Sequence, residues 1–280
     1  MKYFVPSLLA LSLGLFVALP QAQASLATSW TLTNGSCSGC GSYGNVRSFA
    51  AATAGGGDVA ASAWADTGSG NTLETAELKS WSGGLGITNR SGLDGGYPDH
   101  AIDNRGNYDA VLFSFDKTVS LDEIVIGWWK DADLSVLAYT GSGTPDLSGQ
   151  TYAALDDAQN GSAGGWELVG NYFDPQDSSE PGDGRLHYSI NSGGISSSYW
   201  LVSALNPAFN TPGCNSRAID CAPSNYLGND YFKLYALAGT VTTSSGGGGG
   251  NTVPAPASLL LLALGLPLLR LSRCGGKCSG

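Results

Sequence analysis

The densest group of polar side chains lies in the segment YPDHAIDNRGNYD, residues 97–109. It offers side-chain oxygens from Asp103, Asn104 and Asp109, and Gly106 permits the sharp turn that such a loop needs. Calcium binds about six to eight oxygens of this kind, from carboxylates, side-chain amides and backbone carbonyls. Structural Asx-turns at the entry to a strand are the simpler interpretation of this segment. A calcium site is the sharper alternative, and contact with another ligand is a third.

Two further carboxylates lie in the segment KDAD, residues 130–133, which reads as a hairpin turn. If the sheet brings this turn close to the 97–109 loop, Asp131 and Asp133 join the same site. The spacing does not match an EF-hand, in which a bidentate Glu closes the loop. His100 is interpreted as a hydrogen-bonded anchor of the loop rather than as a ligand. The predicted calcium ligands are Asp103, Asn104, Asp109, Asp131 and Asp133.

Trp128 and Trp129 are adjacent, so on a strand their rings point to opposite faces of the sheet. One ring is expected in the core, and the other at the surface, where an indole stacks well on a sugar ring. These two residues are the candidate ligand contacts of a carbohydrate-binding module, with calcium shaping its loops. A half-buried tryptophan without a ligand is the simpler alternative.

No pattern of catalytic residues stands out. The chain has two histidines, His100 and His187, and contains neither G-x-S-x-G nor H-E-x-x-H. Serines and carboxylates are abundant enough to assemble a triad or a glycosidase pair on paper, which makes such assignments weak. We therefore expect no enzyme and assign no catalytic residue, and a secreted hydrolase remains the second alternative.

The charge of the chain argues against nucleic acid as a partner. Residues 25–252 contain all 23 acidic residues but only 9 of the 13 basic ones, a net charge of −14 against −10 for the whole chain. Such a surface repels phosphate backbones. It suits a secreted protein that must remain soluble, or one that collects divalent cations.

The elements that position these residues are predicted to be strands. Runs such as AVLFSFD (110–116), DEIVIGWW (122–129) and DYFKLYALAGTV (230–241) are rich in branched and aromatic residues, whereas strong helix formers are scarce. TLETAELKSW (72–81) fits either a short helix or a strand. About ten or eleven strands, with no linker dividing the body, predict an all-β fold: a single jelly-roll-like β-sandwich spanning residues 25–242.

Six cysteines occur in three sequence-local pairs. In a secreted protein Cys37, Cys40, Cys214 and Cys221 are expected to form disulfides. Three connectivities are open, and we favour the local pairs Cys37–Cys40 and Cys214–Cys221. A zinc site built from all four is the alternative.

Both ends of the chain have the features of targeting signals. Lys2, the apolar run LLALSLGLFVAL (8–19) and the small residues at 22–24 predict a signal peptide, residues 1–24, cleaved after Ala24. Near the other end, a Gly/Ser linker (243–252) leads into residues 253–280. There a 17-residue uncharged run is followed by basic residues, which predicts a transmembrane helix over about 253–271 with a cytoplasmic flank.

The order of linker, proline motif, apolar helix and basic tail resembles the PEP-CTERM sorting signal of exosortase-dependent bacterial surface proteins. Val253, Pro254 and Pro256 match the Val-Pro-Glu-Pro motif of that family, and Ala255 stands where the family has Glu. The tail RCGGKCSG (273–280) also departs, because it is less basic and carries two cysteines. A simple tail anchor is the alternative.

Several body segments within residues 81–172, among them WSGGLGITNR, DHAIDNRGNYDAVLFSF and IVIGWWKDADLSVLAYTG, also look like the body of one group of these proteins. The resemblance implies export across the inner membrane of a Gram-negative bacterium and transient anchoring there. Processing by an exosortase-type enzyme and delivery to the cell surface or extracellular matrix, with exopolysaccharide as a candidate partner, would follow. It assigns no binding residue.

Overall fold

The computed structural model describes residues 24–92, 100–156, 164–173, 183–209 and 230–243. All of them belong to the first of two compact units, Met1–Ser244. The predicted signal peptide up to residue 23, most of the linker, the sorting signal and Cys214–Cys221 lie outside the described residues. Ala24 is described as the first residue of a strand.

The described residues are almost entirely strand, so the predicted all-β class is confirmed. None of the helices in this part of the chain has the length and apolar character of a membrane span. A four-residue helix, α1, covers Tyr152–Leu155, and a 3-10 turn covers Pro207–Phe209. The strands are β1 Ala24–Thr31, β2 Ser36–Ser38, β3 Val46–Phe49, β4 Val59–Gly68, β5 Thr72–Trp81, β6 Gly84–Thr88, β7 Ile102–Asp103, β8 Asp109–Asp131, β9 Leu134–Tyr139, β10 Trp166–Tyr172, β11 Leu186–Ser189, β12 Ser197–Ala204 and β13 Tyr231–Thr243.

Five of these strands close a barrel. β8 pairs with β4, β4 with β5, β5 with β6, β6 with β13, and β13 returns to β8, every pair being antiparallel. The long strand β8 carries most of the architecture. Its first half pairs with β4 and β12, and its second half with β13 and β11. The sheet extends from β12 through β9 to β10, while β1 and β7 add to β13, and β3 and β2 add beyond β4.

Alternation of apolar and polar residues explains why these segments are strands. In β4, VAASAWADTG, every second residue from Val59 to Ala65 is buried. The main core includes Trp30, Phe113 and Phe232, none of them exposed. Each such side chain contributes roughly 1.5–3 kcal/mol of burial free energy or more. The segment 72–81, left open between helix and strand, is strand β5.

The predicted hairpin at residues 130–133 is wrong. β8 ends at Asp131 and β9 begins at Leu134, yet the two strands do not pair, because β12 lies between them and pairs with both. Ala132 and Asp133 are buried in the link. The link is also hydrogen-bonded to the residue before β13, because the backbone N–H of Asp133 donates to Asp230 Oδ1.

A second, smaller core lies beneath α1 and the 3-10 turn. It includes Leu73, Leu137, Tyr152, Trp166 and Phe209.

The predicted Cys37–Cys40 disulfide is present, and its Cα atoms lie 5.9 Å apart. It joins β2 to the turn that follows this strand.

Candidate functional site

Three carboxylates meet where three strand ends come together. Asp131 ends β8, Asp133 precedes β9, and Asp230 directly precedes β13. Tyr231, the first residue of β13, pairs with Asp131, and this pairing brings Asp230 beside the β8–β9 link. One oxygen from each carboxylate lies within 4.8 Å of the others.

Asp230 is the centre of this cluster and is fully buried. Its Oδ1 accepts a hydrogen bond from the backbone N–H of Asp133 at 3.1 Å. Its Oδ2 accepts a hydrogen bond from Asn104 Nδ2, and the backbone N–H of Asp230 donates to Asn104 Oδ1 at 3.2 Å. Asn104 Nδ2 also donates to the carbonyl of Leu205 at 3.1 Å. Asn104 therefore ties the start of β13 to the end of β12.

The electrostatics of the cluster are unfavourable without a compensating positive charge. Burial, together with the negative charges of Asp133 and Asp131, raises the pKa of Asp230 to about 9, although its hydrogen bonds with Asp133 and Asn104 act in the opposite direction. A proton or a bound cation can offset this repulsion. A divalent cation reverses the pKa shift because it stabilises the ionised carboxylates.

The oxygen-only character of the cluster suits a hard cation. The three carboxylates present up to six oxygens, and calcium accepts both one-oxygen and two-oxygen binding by carboxylates. Zinc in proteins prefers nitrogen and sulfur ligands, and neither a histidine nor a cysteine belongs to the cluster within the described residues.

The five predicted calcium ligands divide into two groups. Asp131 and Asp133 belong to the carboxylate cluster, and Asn104 is hydrogen-bonded to it. Asp109, fully buried, instead accepts hydrogen bonds from Asn89 Nδ2 at 3.0 Å and from the backbone N–H of Asp103 at 3.4 Å.

The remaining polar residues of the 97–109 loop form turns. Asp103 Oδ1 accepts from the backbone N–H of Arg105 at 2.9 Å, which is an Asx-turn, and Gly106 has a φ of 82°. His100 Nδ1 shares a hydrogen bond of 2.7 Å with Thr88 Oγ1, and its ring stacks on Trp81. These contacts match the anchoring role expected of His100.

Sequence reasoning missed Asp230, the most buried member of the cluster. It is separated from Asp133 by 97 residues, so no local spacing connects the two. The available signal was its position: an acidic residue directly before a long apolar strand, which places the carboxylate at a strand end.

The two adjacent tryptophans lie on opposite faces of the sheet. Trp129 is partly buried and packs against the main core. Trp128 lines a cavity of about 350 Å³ together with Trp81, Gly83, Gly127 and Lys233. The Lys233 ammonium lies 4.1 Å from the ring centroid of Trp81 and 5.3 Å from that of Trp128. The ring of Trp128 thus already contacts a cation of its own chain.

His187 is engaged by carboxylates at the surface. Its Nδ1 lies 2.8 Å from Glu123 Oε1, and its Nε2 lies 3.3 Å from Asp183 Oδ2. Among the described residues, neither His100 nor His187 lines the Trp128 cavity.

Comparison of the chain with protein-family models, with curated proteins and with solved structures finds no match in any of the three.

Proposed function

We propose that this chain is a non-enzymatic exported protein of a bacterial cell surface or extracellular matrix. We also propose that one bound calcium ion stabilises its β domain. The observation that carries the calcium proposal is the convergence of Asp131, Asp133 and Asp230 at the junction of β8, β9 and β13. A cation there would link strand ends that are far apart in sequence, and extracellular fluids supply calcium at concentrations that weak sites can use.

Export is supported by the sequence features at both ends and by the Cys37–Cys40 disulfide. Disulfides persist in oxidising compartments and are rare in the cytosol. The chain would pass the inner membrane, be held there transiently by residues 253–271, and be released by an exosortase-type enzyme that reads Val253–Pro256. Nucleic acid is not a proposed partner, because the net charge is −10.

The finer architecture is part of the proposal. The two halves of β8 pair with different strands, and a single core collects residues from both halves, such as Phe113 and Ile126. This arrangement supports two layers packed face to face, as in a jelly-roll-like sandwich, around the five-stranded barrel.

Thermal unfolding of the full chain tests the calcium proposal. A ligand at 100 times its dissociation constant stabilises a folded protein by about 2.7 kcal/mol, which raises Tm by roughly 5–10 °C for a body of this size. We expect calcium to produce such a shift and chelation to remove it. Asp230→Asn should abolish the shift, whereas the matched control Asp146→Asn, at an exposed position, should preserve it.

Equal Tm values with calcium and with chelator would contradict the calcium site. A shift that survives Asp230→Asn would place the ion elsewhere in the chain. Magnesium at the same concentration is the specificity control, because it requires near-ideal octahedral geometry, keeps several of its waters and is usually bound by one or two carboxylates rather than three.

A further inference from the structure

A second cavity lies beside α1 and the 3-10 turn. Its volume is about 360 Å³, within the range of about 300–1,000 Å³ that is typical of small-molecule sites. Residues from the β4–β5 turn, the start of β8, α1 and the 3-10 turn surround it, including Asp66, Asn71, Tyr108, Thr151, Tyr152 and Asn206.

Asp66 gives this cavity a buried acceptor. The residue is only 8% exposed. Its Oδ1 accepts hydrogen bonds from the backbone N–H of Tyr108 at 2.8 Å and from Asn107 Nδ2 at 3.2 Å. Its Oδ2 accepts none from any other residue in the described part of the chain. Burial raises the pKa of Asp66, as expected for a carboxylate short of donors.

Asn206 borders the cavity as a buried residue. It is 2% exposed, and its Oδ1 accepts from the backbone N–H of Ala208 at 2.9 Å. Its Nδ2 is buried and donates to no partner within the described ranges. Because this atom has almost no accessible surface, the open acceptor at Asp66 Oδ2 is the group that a polar ligand in the cavity would satisfy.

Two tyrosines form the aromatic wall of the cavity. Tyr152 Oη donates to the backbone carbonyl of Tyr108 at 2.9 Å, and the two rings meet edge to face with centroids 6.4 Å apart. Tyr152 is thereby fixed, whereas the half-buried ring of Tyr108 borders the cavity. Thr151 adds a hydroxyl that both donates and accepts.

This combination selects a class of ligand. The described lining contains no Lys or Arg, and the buried carboxylate of Asp66 repels anions, so acidic sugars, nucleotides and phosphate compounds are disfavoured. A carboxylate, a hydroxyl and an aromatic ring suit a neutral molecule with many hydroxyls and one apolar face. We propose that this cavity binds one neutral sugar unit, with one hydroxyl donating to Asp66 Oδ2, another bonding to the Thr151 hydroxyl, and with its C–H face on Tyr108.

This inference goes beyond the proposed calcium-stabilised surface protein, and it does not depend on the calcium site. It also moves the expected carbohydrate contact away from Trp128 and Trp129, to residues that no sequence motif indicated.

The test is a binding assay on the full chain with an array of neutral mono- and oligosaccharides, uronic-acid oligosaccharides, single-stranded DNA and the diamine putrescine. We expect binding to neutral sugars alone. Calorimetry with the best neutral probe should show that Asp66→Asn weakens binding about tenfold or more, because a charge-assisted hydrogen bond is lost. Tyr108→Ala, which removes the stacking ring, should weaken it by a smaller factor, and Trp128→Ala should leave it unchanged.

Asp66→Asn retains Oδ1 as an acceptor for Tyr108, so we expect it to fold, and its Tm and calcium response should match those of the parent chain. If it does not fold, Tyr108→Ala and Thr151→Val decide in its place. The proposal is overturned if no neutral sugar binds at about 10 mM, if folded variants of Asp66 and Tyr108 bind as the parent does, if only Trp128→Ala abolishes binding, or if putrescine alone binds. None of these outcomes bears on the calcium shift, so the two proposals fail separately.

Discussion

At the scale of single residues, Asp230 connects the chemistry of the cluster to the stability of the fold. Its carboxyl group is buried beside two other carboxylates, and its hydrogen bonds reach both the β8–β9 link and Asn104. A residue in this position must either retain its proton or share a cation with its neighbours. The choice between these states depends on pH and on calcium.

The pH dependence without metal follows from this position. The pKa of Asp230 is about 9 in the folded chain and near 3.8 in the unfolded chain, so the folded state binds more protons between these values. With chelator present, the free energy of unfolding should therefore fall as pH rises from 5 to 9, by up to about 1.4 kcal/mol per pH unit from this group. Urea unfolding at several pH values measures the slope. Asp230→Asn should flatten it, and an unchanged slope in that variant would assign the dependence to other groups.

Asn104 is expected to act as a positioning residue for Asp230. Asn104→Ala removes the hydrogen bonds to Asp230 and to the Leu205 carbonyl and leaves buried polar atoms unsatisfied. Such a loss costs about 1–3 kcal/mol. Chemical unfolding should show this loss and also a weaker calcium response. The exposed Asn34→Ala serves as the control and should change neither quantity; a stability loss with an unaltered calcium response would separate Asn104 from the ion.

At the scale of elements, the glycines of β6 allow the barrel to close. A Cβ added at Gly86 would lie 1.9 Å from the backbone carbonyl oxygen of His100. One added at Gly84, whose φ is +117°, would lie 2.1 Å from the carbonyl oxygen of Leu234. The motif GLGIT thus permits two close backbone approaches, that of β13 at Gly84 and that of His100 at Gly86.

Gly86→Ala should destabilise the fold by about 1–3 kcal/mol or more, since a backbone carbonyl cannot move aside as a side chain can. Gly193→Ala is the matched control, because no atom lies within 4 Å of its added Cβ. Denaturant midpoints of the two variants compare them directly. Equal midpoints would show that β6 does not pack as tightly as described.

A β-bulge at Tyr235 changes which residues of β13 point into the core. Leu234 and Ala236 pair with the neighbouring residues Ile126 and Val125, so Tyr235 is the extra residue. Buried positions on β13 consequently change from even numbers, such as Leu234, to odd numbers, such as Leu237.

At the scale of the whole molecule, alternation in the sequence was sufficient to predict strands and the all-β class. Pairing was not predictable, because β12 inserts between β8 and β9 from more than 60 residues away. The same limit explains why only part of the candidate site was predicted from the sequence. Asp131 and Asp133 were found by their local spacing, whereas Asp230 joins them only through the β8–β13 ladder. Asp66 escaped notice because a single carboxylate at the end of β4 has no motif around it.

Processing of the exported chain belongs to this scale as well. Mass spectrometry of surface material should recover peptides from the body, including the Cys37–Cys40 disulfide, and none beyond about Val253. Replacing Ala255 by Glu, the usual residue of the sorting motif, should leave processing intact. Intact peptides from residues 257–269 in surface material would exclude cleavage at this motif.

Calcium titration of the chelator-treated full chain by calorimetry tests the central claim most directly. The account predicts one saturable site per chain, lost in Asp230→Asn and in Asp133→Asn and retained in Asp146→Asn. Absence of saturable calcium binding to the folded chain, or an unaltered site in both cluster variants, would contradict it.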